Sequence, residues 1–297
     1  MGKIFFKEDD DILDIRKDGV FKAVFAKDTP ESLAILSKLV SAFIGVEISI
    51  ISILTNEPTI ENIHDIQFRL DINCRAADGE LINVEMSLNP KPLETRRMEF
   101  HAARLLTGQD IRGIKKGYGA LKKVYQITIL ANESFFQDDK YYHEFKYYDH
   151  INKTSLNGMC TIISIELTKL RTILEKPVEE MSHSEKWAVY LEYLTDRSKR
   201  NIINEILETE EGIAMANEAV YKVSQDEIER ARIMRAEKTE LDYISYMAYA
   251  EETGRAEERK EIAKNAFSEG ASIGFVKKIT GLDDITLKEI QSKLTVL

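Results

Sequence analysis

The sequence predicts an α/β fold, a mixed sheet flanked by helices and followed by a helical C-terminal region. Three observations carry that prediction. Residues 68–86 alternate apolar and polar side chains on either side of Asp78-Gly79, the pattern of a β-hairpin. Before residue 131 the local signals run helix, strand, strand, strand, helix, strand, an order that suits a sheet with helices against it. Residues 208–262 are nearly free of Gly and Pro and dense in Glu, Lys, Arg and Ala, which predicts one long helix or a pair.

In chain order, Asp28-Thr29-Pro30 predicts a helix start, with a capping side chain and a proline in the first turn. That helix runs through Leu33, Leu36, Leu39 and Val40 to a stop near Gly45. Residues 46–54, rich in isoleucine, predict a strand; 56–65 predict a loop, and 66–75 and 80–88 the two hairpin strands. Pro90 and Pro92 end the second of these, and a helix over 93–107 follows, closed by Gly108. Gly113, Gly117 and Gly119 loosen the next segment before a strand at Val124–Leu130, and 141–148 and 159–167 predict two more. Helix resumes at Ser184, with no sustained heptad in the long charged stretch. Ile273, Val276 and Ile279, then Gly281, then Ile285, Leu287 and Ile290 predict two small helices around a turn. Their spacing suits a helix-turn-helix or a plain helical hairpin, and the hairpin is favoured. The expected organisation is a first domain over 1–175, a helical region with a long acidic helix over 176–265, and a small helical hairpin over 266–297.

The hairpin is where chemistry enters. If Ala77-Asp78-Gly79 forms a three-residue loop, Ala76 pairs with Glu80, Ile72 with Val84, Leu70 with Met86, and Asp71 with Glu85. The apolar faces then coincide and two carboxylates stand opposite each other on the polar face. Like charges so placed destabilise a sheet unless something offsets them. Carboxylate oxygens suit Mg²⁺ or Mn²⁺; two carboxylates splayed into water are the alternative. A slip of one residue would separate the pair.

Composition bounds the rest. The 297-residue chain is 43% hydrophobic and 31% charged, the profile of an ordinary soluble protein. No apolar run approaches the ~18–20 residues that cross a bilayer, and the opening residues lack a signal-peptide pattern. Cys74 and Cys160 have no metal-ligand spacing, and Cys74 falls on an apolar strand face; the expected compartment is the reducing cytoplasm. The net charge of −10 argues against a generic nucleic-acid binder. Its distribution is uneven: residues 91–123 hold nine Lys or Arg against three acidic residues, +6 in that window and −16 elsewhere. A basic island directly after an acidic hairpin is what a phosphate-binding surface beside a metal site requires; a solvated charged helix has the same composition. There is no glycine-rich phosphate loop, no Gly-x-Ser-x-Gly and no His-Glu-x-x-His, and the five histidines are scattered.

With these residues in view the chain resembles the PD-(D/E)XK nuclease superfamily, and most fully the Rpn-type recombination-promoting nucleases, also labelled PD-(D/E)XK nuclease family transposases. Asp18-Gly-Val-Phe21-Lys22-Ala-Val-Phe25 resembles that family's opening Asp-x-x-Phe-Lys-x-x-Phe signature. Asp71 to Met86 is similar to its acidic hairpin, and Arg97, Gly108 to Tyr118 and Val124 to Leu130 resemble its helix, tyrosine segment and following strand. Gly270, Ile273 and Ile279 to Leu282 resemble its common tail, so the resemblance spans nearly the whole chain.

The resemblance implies a restriction-endonuclease-like αββαβ core and Mg²⁺- or Mn²⁺-dependent cleavage of DNA, in the service of recombination or mobile-element events. It maps Asp71 and Glu85 onto the metal-binding carboxylates, with Asp18 as a further ligand or a helix cap. Arg96, Arg97, Lys115 and Lys116 become the expected DNA contacts. Lys22, Tyr118 and Gln126 are accessory candidates; for these an ion pair with Asp18, a core tyrosine and a strand amide are the plain alternatives. One position departs from the pattern: the family has Gln or Lys two residues after the glutamate, and this chain has Ser87. Serine donates a hydrogen bond but brings neither reach nor charge. Serine then suffices as a catalytic-site residue, Lys22 or Arg97 substitutes, or the enzyme is weak or inactive. The competing functions are a degenerate nuclease fold that binds DNA or protein without cutting, and a helical interaction protein. A homodimer through the helical C-terminal region is one expected assembly, and no membrane association is expected.

Overall fold

Capping chemistry sets the second helix of the structure, a computed structural model that describes residues 3–7, 10–54, 70–111, 117–156 and 158–294, with backbone alone for Leu70, Asp71 and Glu240. Helix α1 (Asp18–Phe25) is followed by α2 (Pro30–Ile44). Thr29 caps α2 by accepting the Ser32 N–H at 3.3 Å, and Gly45 closes it in the left-handed region at φ 81°. The first strand, β1 (Ile50–Leu54), starts at Ile50 rather than at residue 46. Residues 46–49 belong instead to a turn held by α2: Ser41 Oγ accepts the Ile48 N–H and Ser37 Oγ the Ile50 N–H, each at 2.8 Å. The Ile48 backbone is thereby held by α2 rather than by a neighbouring strand.

The sheet continues with β2 (Leu70–Ala76), β3 (Leu81–Ser87), β4 (Val124–Leu130), β5 (Tyr142–Phe145) and β8 (Cys160–Glu166), in the order β1-β2-β3-β4-β8-β5. The centre is parallel (β3 with β4, β4 with β8) and both edges are antiparallel. The predicted strand over 141–148 is split: β6 (Tyr148–Asp149) leaves the sheet to pair with β7 (Thr154–Ser155). Between β3 and β4 lies α3 (Glu94–Thr107), which packs against β3, β4 and β8. Gly108 ends α3 at φ −73°, so glycine's left-handed freedom is not what stops this helix. This mixed six-stranded sheet flanked by helices is a restriction-endonuclease-like α/β arrangement.

One sheet face is apolar. Ile72, Cys74, Ile82, Val84, Met86, Ile127, Ile129, Ile163 and Ile165 pack with α1, α2 and the later helices α4 (His183–Tyr193), α5 (Arg200–Thr209) and α6 (Glu211–Gln225) in one continuous core that includes Trp187. Burial there pushes the Cys74 thiol up to about 12, which makes it a small inert core residue. Residues 3–7 and 10–16 are tied into this core by distant partners. Asn217 Nδ2 donates to the Ile4 carbonyl at 2.8 Å, the Phe6 N–H to Asn204 at 3.1 Å, and the Leu13 N–H to Ser224 at 3.0 Å.

The chain divides into two compact units, Met1–Ile233 and Met234–Leu297. The charged stretch resolves into α6 and α7 (Glu227–Ser268), separated at Asp226, whose carboxylate accepts the N–H groups of Ile228 and Glu229 at 3.0 Å. In the second unit α8 (Ile273–Thr280) and α9 (Asp284–Leu294) turn at Gly281, φ 68°, and bury Val276, Leu287 and Ile290 against Ala263 of α7. No helix among the described residues is long and apolar enough to cross a membrane.

Candidate active site

The β2–β3 hairpin has the register that its turn chemistry dictates. Gly79 adopts φ 92°, the Ala76 N–H donates to the Glu80 carbonyl at 2.9 Å, and Asp71 pairs with Glu85, flanked by Leu70–Met86 and Ile72–Val84. The second face of the sheet is read across the strands in rows. Leu81, Val124 and Cys160 form an apolar row; Asn83 and Gln126 begin a polar one; then come Glu85, Thr128 and Ser164, with Asp71 beside Glu85; last come Ser87, Leu130 and Glu166. Sequence alternation marked this face as polar. It is nevertheless buried: Glu85, Gln126, Thr128 and Ser164 expose nothing, and Asn83 and Ser87 almost nothing.

Helix α3 is what buries it. Met98 and Ala102 lie against the sheet, Ala102 in the apolar cluster with Leu81, Val124 and Cys160, and Glu94 is buried on the same helix. Arg97 reaches down to pair with Glu85 Oε1 and also with Glu94 Oε1 at 3.3 Å. Its side chain is 23% exposed, whereas that of Glu85 is fully covered. A buried carboxylate without a counter-charge would cost several kcal/mol, of order 3–5, so the guanidinium is what makes Glu85 tenable here. Below it, Gln126 orders the neighbours. Its amide accepts from Asn83 Nδ2 at 2.8 Å, donates to Thr128 Oγ1 at 3.1 Å, and reaches Glu85 Oε2 at 3.5 Å. His101 meets Asn83 at 3.4 Å, which extends the polar chain to α3.

A cleft of about 730 Å³ opens beside this network, between the hairpin and the C-terminal half of α3. Asn73, Arg75, His101, Arg104 and Lys122 line it. Lys122 is fixed through its backbone, which both donates to and accepts from the Gln109 amide at 2.8 and 2.9 Å. Arg75, Arg104 and Lys122 outnumber Asp110 in the lining, so the cleft is net cationic, and Asn73 links it by strand register to Asn83.

The donor set fits a hard divalent cation. It consists of oxygen-bearing residues: Glu85, Asp71 at the register position directly across the ladder, and Asn83 two residues before Glu85 on the same face, whose Oδ1 is buried without a hydrogen-bond partner among the described residues. Among the described residues no three His, Cys, Asp or Glu groups gather as a metal cluster, so the set rests on two carboxylate-bearing residues and an amide oxygen.

The other expected residues fall in several places. Ser87 follows Glu85 on the same face and is 7% exposed. Asp18 and Lys22 pair with each other at 2.7 Å on α1, so of the two cations able to stand in for the missing lysine, Arg97 is the one that contacts Glu85. Arg96 is exposed on the outer side of α3, and Tyr118 is 86% exposed in a 3-10 turn before β4. Lys115 and Lys116 lie outside the described residues. Sequence reasoning did not single out Asn83, Glu94, His101, Arg75, Arg104 or Lys122. A helical projection held part of the signal, because Glu94, Arg97, His101 and Arg104 recur at steps of three and four along a predicted helix. Asn73 and Arg75 follow Asp71 at the strand period of two.

Residues 15–250 match the family model for PD-(D/E)XK nuclease family transposase. No match is found among curated proteins or among solved structures.

Proposed function

Because the chain belongs to the PD-(D/E)XK nuclease family transposases, we propose that it is a divalent-metal-dependent DNA endonuclease acting in recombination or mobile-element events. The observation that carries this reading is the cross-strand opposition of Asp71 and Glu85 on a buried polar face that adjoins a cationic cleft. Mg²⁺ or Mn²⁺ held by those two residues would acidify a bound water and stabilise charge on the phosphoryl oxygens and leaving group. The chain's own groups do the rest. Gln126 holds one Glu85 oxygen from the side, and Asn83 and His101 keep that amide oriented. Arg75, Arg104 and Lys122 line the cleft where phosphates of the backbone would lie, and Arg96, Arg97, Lys115 and Lys116 would add further contacts. Ser87, beside Glu85, supplies a hydroxyl where the family has a longer side chain.

The test is nicking of supercoiled plasmid in Mg²⁺ and in Mn²⁺ by wild type, Asp71→Ala and Glu85→Ala. Metal-dependent nicking that is lost in both variants supports the proposal; equal silence of three folded proteins refutes it. Duplex binding measured against salt adds an independent arm. Replacing Arg104 and Lys122 together by Met should lower the logarithmic salt slope by about 2, one unit for each lost phosphate contact.

The second reading, a nuclease fold that binds DNA without cutting it, is favoured by Ser87 alone. It keeps the salt-dependent binding and gives no metal-dependent product.

A further inference from the structure

Glu85 poses an access problem. A carboxylate that is to hold a hydrated cation needs a face open to solvent, yet this side chain exposes nothing. The charged group covering it is the Arg97 guanidinium, which is itself partly exposed and has a second anionic partner in Glu94 at 3.3 Å. Arg97 therefore occupies the electrostatic place of a metal at Glu85 and has somewhere else to go. Its planar fork of donors also matches a phosphate. From α3 it stands near the cationic cleft, with His101 and Arg104 of the same helix lining that cleft.

We propose that Arg97 is the resident counter-cation of Glu85, and that a DNA phosphate draws its guanidinium away, uncovering the carboxylate so that metal and DNA bind cooperatively. The proposal rests on the endonuclease reading and adds to it an order. Without DNA the carboxylate is occupied by an internal cation, and free metal binds weakly. With DNA, Arg97 exchanges a carboxylate for a phosphate, and the divalent ion replaces it at Glu85. The apparent metal affinity of the free protein is then reduced by the fraction of molecules in which Arg97 has moved off. A tenth of the population uncovered means about tenfold weaker binding, and the same factor bounds the coupling with DNA. Glu94 is the relay: it holds Arg97 in the uncovered state and so limits the energy the phosphate must supply.

The experiment uses the full chain and two probes. Mn²⁺ binding without DNA is followed by the electron paramagnetic resonance signal of free Mn²⁺. Binding of a fluorescent duplex with phosphorothioate linkages is followed by anisotropy, in EDTA and in Mn²⁺. Arg97→Met should bind Mn²⁺ alone about tenfold more tightly than wild type, whereas Arg255→Met, which removes the same charge from an exposed position on α7, should not change it. In wild type Mn²⁺ should tighten the duplex by about tenfold, and that gain should shrink to about twofold or less in Arg97→Met. If Arg97→Met does not fold because Glu94 is left buried beside it, the Arg97→Met, Glu94→Gln double variant carries the same expectations. Unchanged or weaker Mn²⁺ binding in the folded variant, or an undiminished gain with DNA, overturns the gating role. Glu85→Gln separates the two levels: if it binds Mn²⁺ as wild type does, the metal site itself is misplaced, whereas loss in Glu85→Gln with no gain in Arg97→Met leaves the site and removes the gate.

Discussion

Gln126→Leu isolates the amide that links the polar face to Glu85. Leucine has nearly the same volume and Gln126 is fully buried, so the substitution leaves packing close to intact and removes hydrogen bonds. Asn83 Nδ2 loses its acceptor at 2.8 Å and keeps only His101, at 3.4 Å. Leaving such a buried donor unsatisfied costs about 1–3 kcal/mol. Glu85 Oε2 loses a long contact at 3.5 Å, worth about 1 kcal/mol given its charge. The Thr128 hydroxyl, an acceptor at 3.1 Å, can rotate to another role at little cost. Burying an apolar side chain in place of an amide returns about 1 kcal/mol. The net expectation is a loss of about 2 kcal/mol, or about 4–8 °C in Tm for a unit of this size. Urea unfolding followed by fluorescence is the assay, because Trp187, the single tryptophan of the chain, is fully buried in the same core. A variant as stable as wild type to within about 0.5 kcal/mol would refute the reasoning. Asn83 and Glu85 would then have found other partners, and Gln126 would not be what orients the carboxylate.

Other expectations follow from local geometry. Gly79→Ala places a side chain at φ 92° with its Cβ 3.1 Å from Lys122, and should cost about 1–2 kcal/mol in the same urea assay. Ser182 and Glu185 form a capping box at the start of α4, with bonds of 3.2 and 2.8 Å, so Ser182→Ala should cost about 1 kcal/mol. Burial pushes the Glu185 carboxyl upward, but Lys176 at 2.5 Å and the Ser182 N–H outweigh it and hold it below its ordinary 4.5. Its folded value being the lower one, the stability it adds is complete above 4.5 and disappears as pH falls through the folded value. The advantage of wild type over Glu185→Gln should fade across that acid range in thermal melts. Burial also raises the thiols of Cys74 and Cys160, so at neutral pH the native chain should resist a disulfide reagent that labels both residues at once in urea.

The parts of this molecule that sequence makes legible are those fixed by short-range chemistry. The hairpin register followed from a period of two and a glycine at the one position needing φ near 90°. Helix α2 followed from Thr29, Pro30 and Gly45. Strand β1 was placed too early because isoleucine content does not report that Ser37 and Ser41 will take the backbone bonds of residues 48 and 50. The candidate site was legible as a pair of opposed carboxylates and no further. Alternation says which side chains share a face, not what covers them. The polar residues of β3 and β4 lie beneath α3, and Glu94, which reads as one more charge on a solvated helix, is buried there and paired with the partly exposed Arg97. Those relations join residues far apart in the chain and leave no local mark. The same holds for α4 to α6, whose composition departs from that of the sheet region while their apolar sides complete its core.

The ties of residues 3–7 and 10–16 to α5 and α6 bear on how the protein is made. Their partners are separated by 198 residues at Phe6 and Asn204, 211 at Leu13 and Ser224, and 213 at Ile4 and Asn217. A ribosome adding about 5–20 residues per second needs roughly 10–40 s to synthesise that interval. Until its end, the opening segment lacks its partners on α5 and α6, and the apolar face of the sheet has α1 and α2 but not the full set of α4 to α6. A message truncated before α6 would therefore yield no minimal folded fragment, only a chain with a partly uncovered sheet, suited to chaperones and proteases.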